Sequence, residues 1–359
     1  TESVIENSTL VKTGAAGTVT TKGGAEAGAM NDAIVEEDAL ETSSALKDHR
    51  RQVTVDGLYA GATDTATYKS LMISIAGGTL AGQGAAGVTV HGGSSALTVK
   101  NATLTSATAI GLEAGGAANF TTVLSSGVVG GAAAGVLAEK ITTTHSSALT
   151  VEESRLAAKR IALDNTVREG VSNLLIQASG GGFSANGLGA GVRLMSNALT
   201  TVSDSTLAAA ERVALDTGVD TFSNSLYVRG DVSAVLGLSV SAILNTADGT
   251  AETVIDGTSS ITGEGDGDAE LSVSTWRDTT FKMIDASVSL SGWSAVGASV
   301  GINTFGGLAA TRIDGGEDSR VTLGRTGKDS LTVRAVNNDT LDVVSATGGF
   351  SSTAGLNAG

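Results

Sequence analysis

No proline occurs anywhere in the 359 residues of this chain. At the usual frequency of roughly 5%, a chain of this length carries about 18 prolines. Proline cannot donate a backbone hydrogen bond, and within β-sheets it is confined to edge strands and bulges. We therefore predict a fold in which nearly every residue pairs with a neighbouring strand on both sides.

The rest of the composition excludes several classes of protein. Hydrophobic residues make up 41% of the chain and its mean hydropathy is +0.18, so we expect a folded rather than a disordered chain. The absence of cysteine excludes disulfide scaffolds and thiolate metal sites. A net charge of −15 argues against nucleic acid and anionic membranes as partners. The most apolar stretch, 232–244, is about 13 residues long, so no membrane span is expected.

Internal repeats organise the chain. The hexapeptide at 94–99 recurs at 146–151, and a third, partial copy follows at 197–200. Weaker copies of a Gly/Ala-rich apolar block extend the array to about six modules of roughly 50 to 60 residues each. Self-similarity at a fixed period of this length is typical of a solenoid.

Within a module the hydrophobic period is two. Leu97 and Val99 alternate with Thr and Lys, and this pattern predicts half-buried strands. Asp-Gly pairs such as 248–249 and 256–257 are interpreted as turns. We predict an all-β fold, a parallel β-helix built from imperfect modules of about two coils each. Coils of roughly 20 to 28 residues would give about 13 to 18 layers and a rod roughly 60 to 85 Å long.

One segment departs from the alternation. Residues 30–51 concentrate charge, and we interpret them as an excursion loop from the solenoid or as a cap. The predicted organisation is therefore a region of N-terminal coils at 1–60 that carries this excursion, followed by a repetitive solenoid at 61–359 that is truncated within a module.

The three histidines, His49, His91 and His145, lie in no recognisable metal motif and are expected at the surface or in turns. His91 and His145 occupy nearly equivalent positions of the repeat, which favours a structural explanation. No catalytic constellation is recognisable, and we expect no enzymatic activity and no obligatory cofactor.

The best local signal for a metal ion is the acidic, glycine-rich run at 263–270. Asp266, Asp268 and Glu270 offer spaced carboxylates to a Ca²⁺ ion, although the order of residues is not that of an EF-hand loop. We favour a solvated acidic turn over bound calcium at this place.

A second candidate binding site is the tripeptide Arg229-Gly230-Asp231, which is also found in many integrin ligands. It lies where other modules are expected to bend, so we favour a structural turn over a projecting recognition loop.

The modules resemble a known group of proteins. The runs 232–245 and 287–303, each followed by a Thr-rich segment and an Asp-Gly turn, are similar to the β-helical stalks of large Gram-negative surface adhesins. These are the filamentous-haemagglutinin-like and leukotoxin-like adhesins and the autotransporter passengers. The resemblance covers about residues 60–359 and implies a secreted, extracellular protein at the cell surface that binds a host or cell-surface receptor.

The expected function is accordingly a non-enzymatic structural or adhesive segment of a surface filament, which associates with itself or with neighbouring segments by solenoid stacking. One alternative is a self-assembling filament or sheath subunit. Another is a β-helical enzyme acting on polysaccharide, or a phage tail fibre or spike, and the enzyme would require acids clustered on one face of the solenoid.

Overall fold

The described part of the chain is built from β-strands. The computed structural model describes residues 1–12, 17–22, 50–55, 57–263, 270–315, 320–322, 330–352 and 354–358. No helix occurs among them, so these residues include no helix long and apolar enough to cross a membrane. The strands are β1 Glu2–Glu6, β2 Thr9–Lys12, β3 Gly17–Lys22, β4 Arg50–Val55, β5 Gly57–Lys100, β6 Thr103–Ser106, β7 Ala109–Glu152, β8 Arg155–Ser203, β9 Thr206–Gly257, β10 Ser260–Gly263, β11 Glu270–Ser291, β12 Ser294–Phe305, β13 Leu308–Gly315, β14 Arg320–Thr322, β15 Ser330–Ser351 and β16 Ala354–Ala358.

Parallel pairing of equivalent residues in successive modules dominates the fold. The long strands stack in the order β5, β7, β8, β9, β11 and β15, which gives six layers. The prediction of an all-β parallel β-helix is confirmed. One column of paired residues shows the register through all layers: Gly57, Ala109, Arg160, Arg212, Glu270 and Ser330.

Each coil takes a whole module, so the prediction of about two coils per module is wrong. The Asp-Gly pair at 248–249 was interpreted as a turn, yet it lies inside β9. Glycine is needed there for close approach, because a Cβ on Gly249 would lie 2.3 Å from the backbone oxygen of Ser196. Six layers at the usual strand spacing stand roughly 30 Å high, about half the shortest rod expected from the sequence.

Each coil has two long sides and a short base. The outgoing sheet consists of 57–77, 109–129, 160–180, 212–232, 270–290 and 330–350. The return sheet consists of 80–100, 132–152, 183–203, 236–256 and 294–314, and the short strands β1 and β16 pair with its first and last segments. Short base strands, such as β6 and β10, close the coil. Because a long side has about 21 residues at about 3.3 Å each, the coil is roughly 70 Å wide.

Glycines allow the chain to reverse between the outgoing and return sheets. Gly78, Gly130 and Gly181 stack in one column at this corner. A Cβ on Gly130 would lie 2.4 Å from the backbone oxygen of Gly78, and one on Gly181 would lie 2.0 Å from that of Gly130. This column, called the glycine corner below, therefore has no room for larger residues in these layers.

A second corner, between the return sheet and the base, uses the left-handed backbone conformation. Asn7, Asn101, Glu153 and Asp204 have φ between 47° and 48°, and Gly257 has a φ of 64°. The side-chain amide of Asn101 donates to that of Asn7 at 2.7 Å. Side-chain oxygens of Asn and Asp bond locally at such positions, which explains their use in this turn.

The next residue of this corner forms a serine ladder. The backbone N–H of Ala102 donates to Ser154 Oγ, and the backbone N–H of Ser154 donates to Ser205 Oγ, both at 3.1 Å. The backbone N–H of Ser205 in turn donates to Ser259 Oγ at 3.4 Å. Each hydroxyl thus satisfies a buried N–H of the preceding layer, which ties successive corners together.

The interior changes character across its width. At the base end, aliphatic columns pack together, among them Leu104, Leu156, Leu207 and Ile261 from the base strands. Farther in, five threonines form a zigzag of hydroxyl hydrogen bonds of 2.7 to 2.8 Å between the two sheets: Thr200, Thr217, Thr253, Thr275 and Thr311. Such hydroxyls are accommodated in the interior because each bonds to a hydroxyl on the facing sheet, in the same coil or in a neighbouring layer.

Strands β3 and β4 form a separate two-stranded sheet. They pair antiparallel, with Gly17 opposite Val55 and Lys22 opposite Arg50. Of the charged segment 30–51, all but the last two residues lie outside the described residues, so the prediction of a loop or cap, and with it the boundary at residue 60, stays a prediction.

The serine ladder makes a prediction about stability. Replacing Ser205 by alanine removes the oxygen that accepts the buried Ser154 N–H, so we expect the free energy of unfolding to fall by about 1–3 kcal/mol. Denaturant unfolding measures this change. The matched control is Ser146→Ala on the exposed side of the return sheet, with an expected change within about 0.5 kcal/mol. Equal losses in the two variants would show that the ladder is not a specific source of stability.

Candidate functional site

Two histidines and an aspartate meet inside the first two layers. Asp64 and His91 project inward from the two long sides of β5, and His145 projects inward from the return part of β7. Their ligand atoms all lie within 4.8 Å of one another. We call this group the Asp-His-His cluster, and its residue types are those of many transition-metal sites.

Glycines make the space for this cluster. Gly93 is the register partner of His145, and Gly116 is the partner of Asp64. A Cβ on Gly93 would lie 2.6 Å from both Asp64 Oδ2 and His145 Nδ1, and one on Gly116 would lie 2.0 Å from His145 Nε2. Both positions therefore have to lack a side chain for the imidazole of His145 to fit.

The environment of His145 keeps its ring neutral. The residue is 1% exposed, and neither ring nitrogen has a hydrogen-bond partner. Burial lowers the pKa of His145 to about 4, against a smaller opposing effect of the Asp64 charge. The expectation that His91 and His145 lie at the surface or in turns is wrong, because both lie within strands and face inward. Their two-residue alternation with buried neighbours was the sequence signal for this.

A buried acid lies one layer farther along. Glu169 Oε2 accepts hydrogen bonds from Thr143 Oγ1 at 3.0 Å and from Ser196 Oγ at 2.6 Å, and the residue is fully buried. Burial raises the pKa of Glu169 to about 7, and the two hydroxyl donors oppose that shift. Since Thr143 is the register partner of His91, and Ser196 that of His145, this acid continues the polar interior of the cluster.

The Arg229-Gly230-Asp231 tripeptide lies within strand β9, not at a bend, so the expected turn is wrong. Arg229 and Asp231 are both 1% exposed. The guanidinium of Arg229 donates to both oxygens of Asp285 at 2.8 and 3.1 Å. The bend occurs a few residues later, at the glycine-corner position, and the two charged side chains of the tripeptide are directed to the interior rather than to a receptor outside.

Serines surround the charged groups of this interior. Asp231 accepts hydrogen bonds from Ser179 at 2.8 Å and from Ser289 at 3.1 Å, and also from Ser184. Asp285 accepts from Ser241 at 3.0 Å in addition to its pair with Arg229. Near the glycine corner the interior is thus polar and charged, and its buried charges are paired or hydrogen-bonded.

The outer side of the same region is apolar. Alternation places Leu226, Val228 and Val232 outward between the inward polar residues of β9. Two shallow grooves of about 650 and 370 Å³ lie on the outer side of the return sheet. We call the following exposed side chains the apolar outer surface: Leu71, Ile73, Ile75, Ile176, Leu226, Val228, Val232, Ile284, Val288 and Leu290 on the outgoing sheet, and Leu80, Val88, Val136, Phe183, Leu236, Leu238, Val240, Leu244, Val300 and Ile302 on the return sheet.

Acids also stack on the outer side of the outgoing sheet. Glu113, Asp164 and Asp216 are register partners in three successive layers. Each accepts a hydrogen bond from a donor of this chain: Tyr59 Oη at 2.7 Å, Thr166 Oγ1 at 2.8 Å and Trp276 Nε1 at 2.9 Å, respectively. Burial raises the pKa of Asp216, and the Trp276 hydrogen bond opposes this. The three carboxylates are therefore engaged by their own chain.

The predicted calcium site at Asp266, Asp268 and Glu270 falls mostly outside the described residues. Glu270 begins β11, and its Oε2 lies 3.7 Å from Arg212 Nε. The two aspartates belong to the segment 264–269, so calcium binding at this place stays a prediction.

Comparisons of the chain with protein-family models, with curated proteins and with solved structures found no match. Functional inference therefore depends on the residues and contacts described above.

The buried Glu169 generates a pH-dependent prediction. Its carboxyl group has a pKa of about 7 in the fold against 4.5 ordinarily, so the folded state binds more protons between these values and stability falls as the pH rises through them. In Glu169→Gln this loss is absent. We expect the variant to gain up to about 3 kcal/mol relative to the wild type between pH 4.5 and pH 8.

Denaturant unfolding at several pH values measures the difference between the two proteins. Comparison with the wild type at each pH also removes the opposing contribution of His145, whose lowered pKa makes stability rise between about pH 4 and 6.5. Glu252→Gln on the outer side of the return sheet is the matched control and should have a small effect at every pH. A difference between Glu169→Gln and the wild type that does not change with pH would contradict the prediction.

Proposed function

We propose that this chain is a non-enzymatic structural segment of an extracellular surface filament. The observation that carries the proposal is the register between successive layers, which runs through six layers of the outgoing sheet and five long segments of the return sheet, with equivalent residues above one another. A stack of this kind can be lengthened by further coils without changing its cross-section, and it offers the same outer faces at every level.

The interior supports a structural function. Hydrogen bonds between layers run through the serine ladder and the threonine zigzag, and an ion pair joins Arg229 to Asp285 in the next layer. These contacts connect neighbouring layers as well as the two sides of one coil. The side chains that form these contacts are buried and bonded to one another, as expected of a structural interior.

The acids of the outer side favour this proposal over a polysaccharide-cleaving enzyme. Glycoside hydrolysis uses two carboxyl groups that flank the scissile bond, one of them as a proton donor. Glu113, Asp164 and Asp216 each accept a hydrogen bond from a side chain of this chain, and Glu113 and Asp164 are almost fully buried. These hydrogen bonds and this burial favour a structural function for the three stacked acids over a catalytic one.

Immunoelectron microscopy of the source cells tests the proposal. Antibodies raised against the purified chain should label fibres outside the cell, and the purified chain should release no reducing ends from bacterial polysaccharides. Label confined to the cell interior would overturn the extracellular assignment. Specific cleavage of a polysaccharide, lost on replacement of Asp216 by asparagine, would replace the structural proposal with the enzymatic one.

The apolar outer surface favours a second candidate function, lateral self-assembly into a sheath or bundle. Its side chains are 37% to 84% exposed and lie on both sides of the glycine corner. Contiguous apolar patches of this kind mark interaction surfaces. The patch spans several layers of each sheet. If the apolar outer surfaces of two copies packed against each other, apolar side chains of both copies would be buried.

Sedimentation velocity distinguishes a self-assembling chain from a single stack. We expect the wild type to form larger species as its concentration rises, and Phe183→Lys combined with Val232→Lys to shift these species towards the monomer. Thr121→Lys, on an exposed outward position that is polar already, is the control for added charge. A wild type that remains monomeric at all concentrations would contradict self-assembly.

A further inference from the structure

The Asp-His-His cluster has the composition of a metal site, with one side chain buried and two half-buried. Asp64, His91 and His145 offer one oxygen and two nitrogen ligands, and all three ligand atoms lie within 4.8 Å of one another. Two imidazoles and a carboxylate are ligands that zinc and neighbouring divalent transition metals prefer, whereas calcium and magnesium prefer oxygen alone.

A second, independent observation is that three ring nitrogens of the cluster are buried without a hydrogen-bond partner. His145 is 1% exposed, and both of its ring nitrogens are buried without a hydrogen-bond partner. His91 Nε2 is likewise buried without a partner. Buried polar atoms almost always have a partner, because an unpaired one costs free energy. A bound cation is a partner that accepts electron pairs from several such atoms at once.

The missing side chain at Gly93 brings two of the ligand atoms to the same place. A Cβ on Gly93 would lie 2.6 Å from both Asp64 Oδ2 and His145 Nδ1, so both atoms lie beside this glycine. Zinc bonds to nitrogen and oxygen are about 2.0–2.2 Å long, and small side-chain rotations would let both atoms bond to one ion between them. His91 lies two residues before Gly93 on the same inward side of β5, and its ring packs against Phe120 with centroids 5.3 Å apart.

We propose that Asp64, His91 and His145 bind one divalent transition-metal ion of the zinc class inside the solenoid. Asp64 and His91 belong to one layer and His145 to the next, so the ion joins two successive coils as well as the outgoing and return sheets. Three protein ligands leave a fourth position for water. The inferred function of the ion is structural, since its ligands come from two successive coils and from both long sides.

The environment of His145 agrees with this assignment. Imidazole binds a metal ion through an unprotonated nitrogen, and both ring nitrogens of His145 are buried with no hydrogen-bond partner. Asp64 supplies negative charge that offsets part of the charge of the ion. The carboxylate of the neighbouring Glu169 accepts hydrogen bonds from the hydroxyls of Thr143 and Ser196, and it is not among the proposed ligands of the ion.

Titration of the chelator-treated full chain with Zn²⁺ tests the proposal. We expect one Zn²⁺ per chain, a rise of about 4 °C in Tm at a hundredfold excess over Kd, and visible absorption of a four-coordinate complex when Co²⁺ replaces Zn²⁺. A hundredfold excess of Ca²⁺ should not compete. Competition by Ca²⁺, or the absence of one-to-one binding, would overturn the assignment.

Variants locate the ion. Asp64→Asn keeps the shape of a half-buried side chain and should weaken Zn²⁺ binding roughly tenfold or more, with loss of the Co²⁺ spectrum. His145→Gln should abolish binding. Because a change at the buried His145 can disturb folding, the Asp64 variant is decisive when both are checked by circular dichroism.

His49→Gln and Asp342→Asn are the matched controls, since one removes the third histidine of the chain and the other an exposed carboxylate. Unchanged Zn²⁺ affinity in both controls is expected. Loss of binding in His49→Gln with full binding in Asp64→Asn would place the ion elsewhere and overturn the proposal.

Discussion

Register between layers is the constraint on which the rest of this structure depends. In a parallel stack, a residue lies directly above its equivalent in the next module, about 4.8 Å away. Each side chain must therefore fit, or bond to, the side chains of the layers above and below it. In the serine ladder, each hydroxyl accepts a hydrogen bond from a backbone N–H of the preceding layer. A proline at any position of these strands would remove a backbone N–H that donates a hydrogen bond to the neighbouring layer.

The same constraint explains how polar and charged groups are accommodated inside. Arg229 forms an ion pair with Asp285 in the next layer, and Asp231 accepts hydrogen bonds from serines in the layers on either side. Burial of such groups is tolerable when each has a partner. The consequence appears outside, where alternation directs Leu226, Val228 and Val232 to the surface. A polar interior and an apolar exterior near the glycine corner are therefore two results of one strand pattern.

The functional proposals follow from different parts of this arrangement. A filament segment follows from the repeatable stack, and lateral assembly follows from the apolar outer surface. The Asp-His-His cluster is different, because it interrupts the repeat: Gly93 and Gly116 stand where their register partners carry His145 and Asp64. A local exchange of a side chain for a glycine between layers creates a space that a regular column lacks. The imidazole of His145 occupies this space and lies close to Asp64 and His91, where we propose the ion to bind.

Periodicity allowed some features to be predicted and hid others. Alternation predicted the strands around Leu97 and Val99, and both side chains are fully buried in the apolar base of the coil. It did not reveal coil length, because an Asp-Gly pair turns the chain at Gly257 but continues the strand at Gly249. The cluster was also hidden, since Asp64 and His145 are 81 positions apart in the sequence and meet only when two layers stack and two sheets face each other.

From its amino acids alone, then, this chain is determined to be an all-β stack: it lacks proline, alternates with period two and repeats at roughly 50 residues. Tertiary structure alone decided that one module makes one coil, that Arg229 and Asp231 face inward, and that Asp64, His91 and His145 meet. The physical reason is that alternation defines two faces of a strand without saying which of them is enclosed. That choice belongs to the facing sheet and the next layer, whose residues lie far away in the sequence.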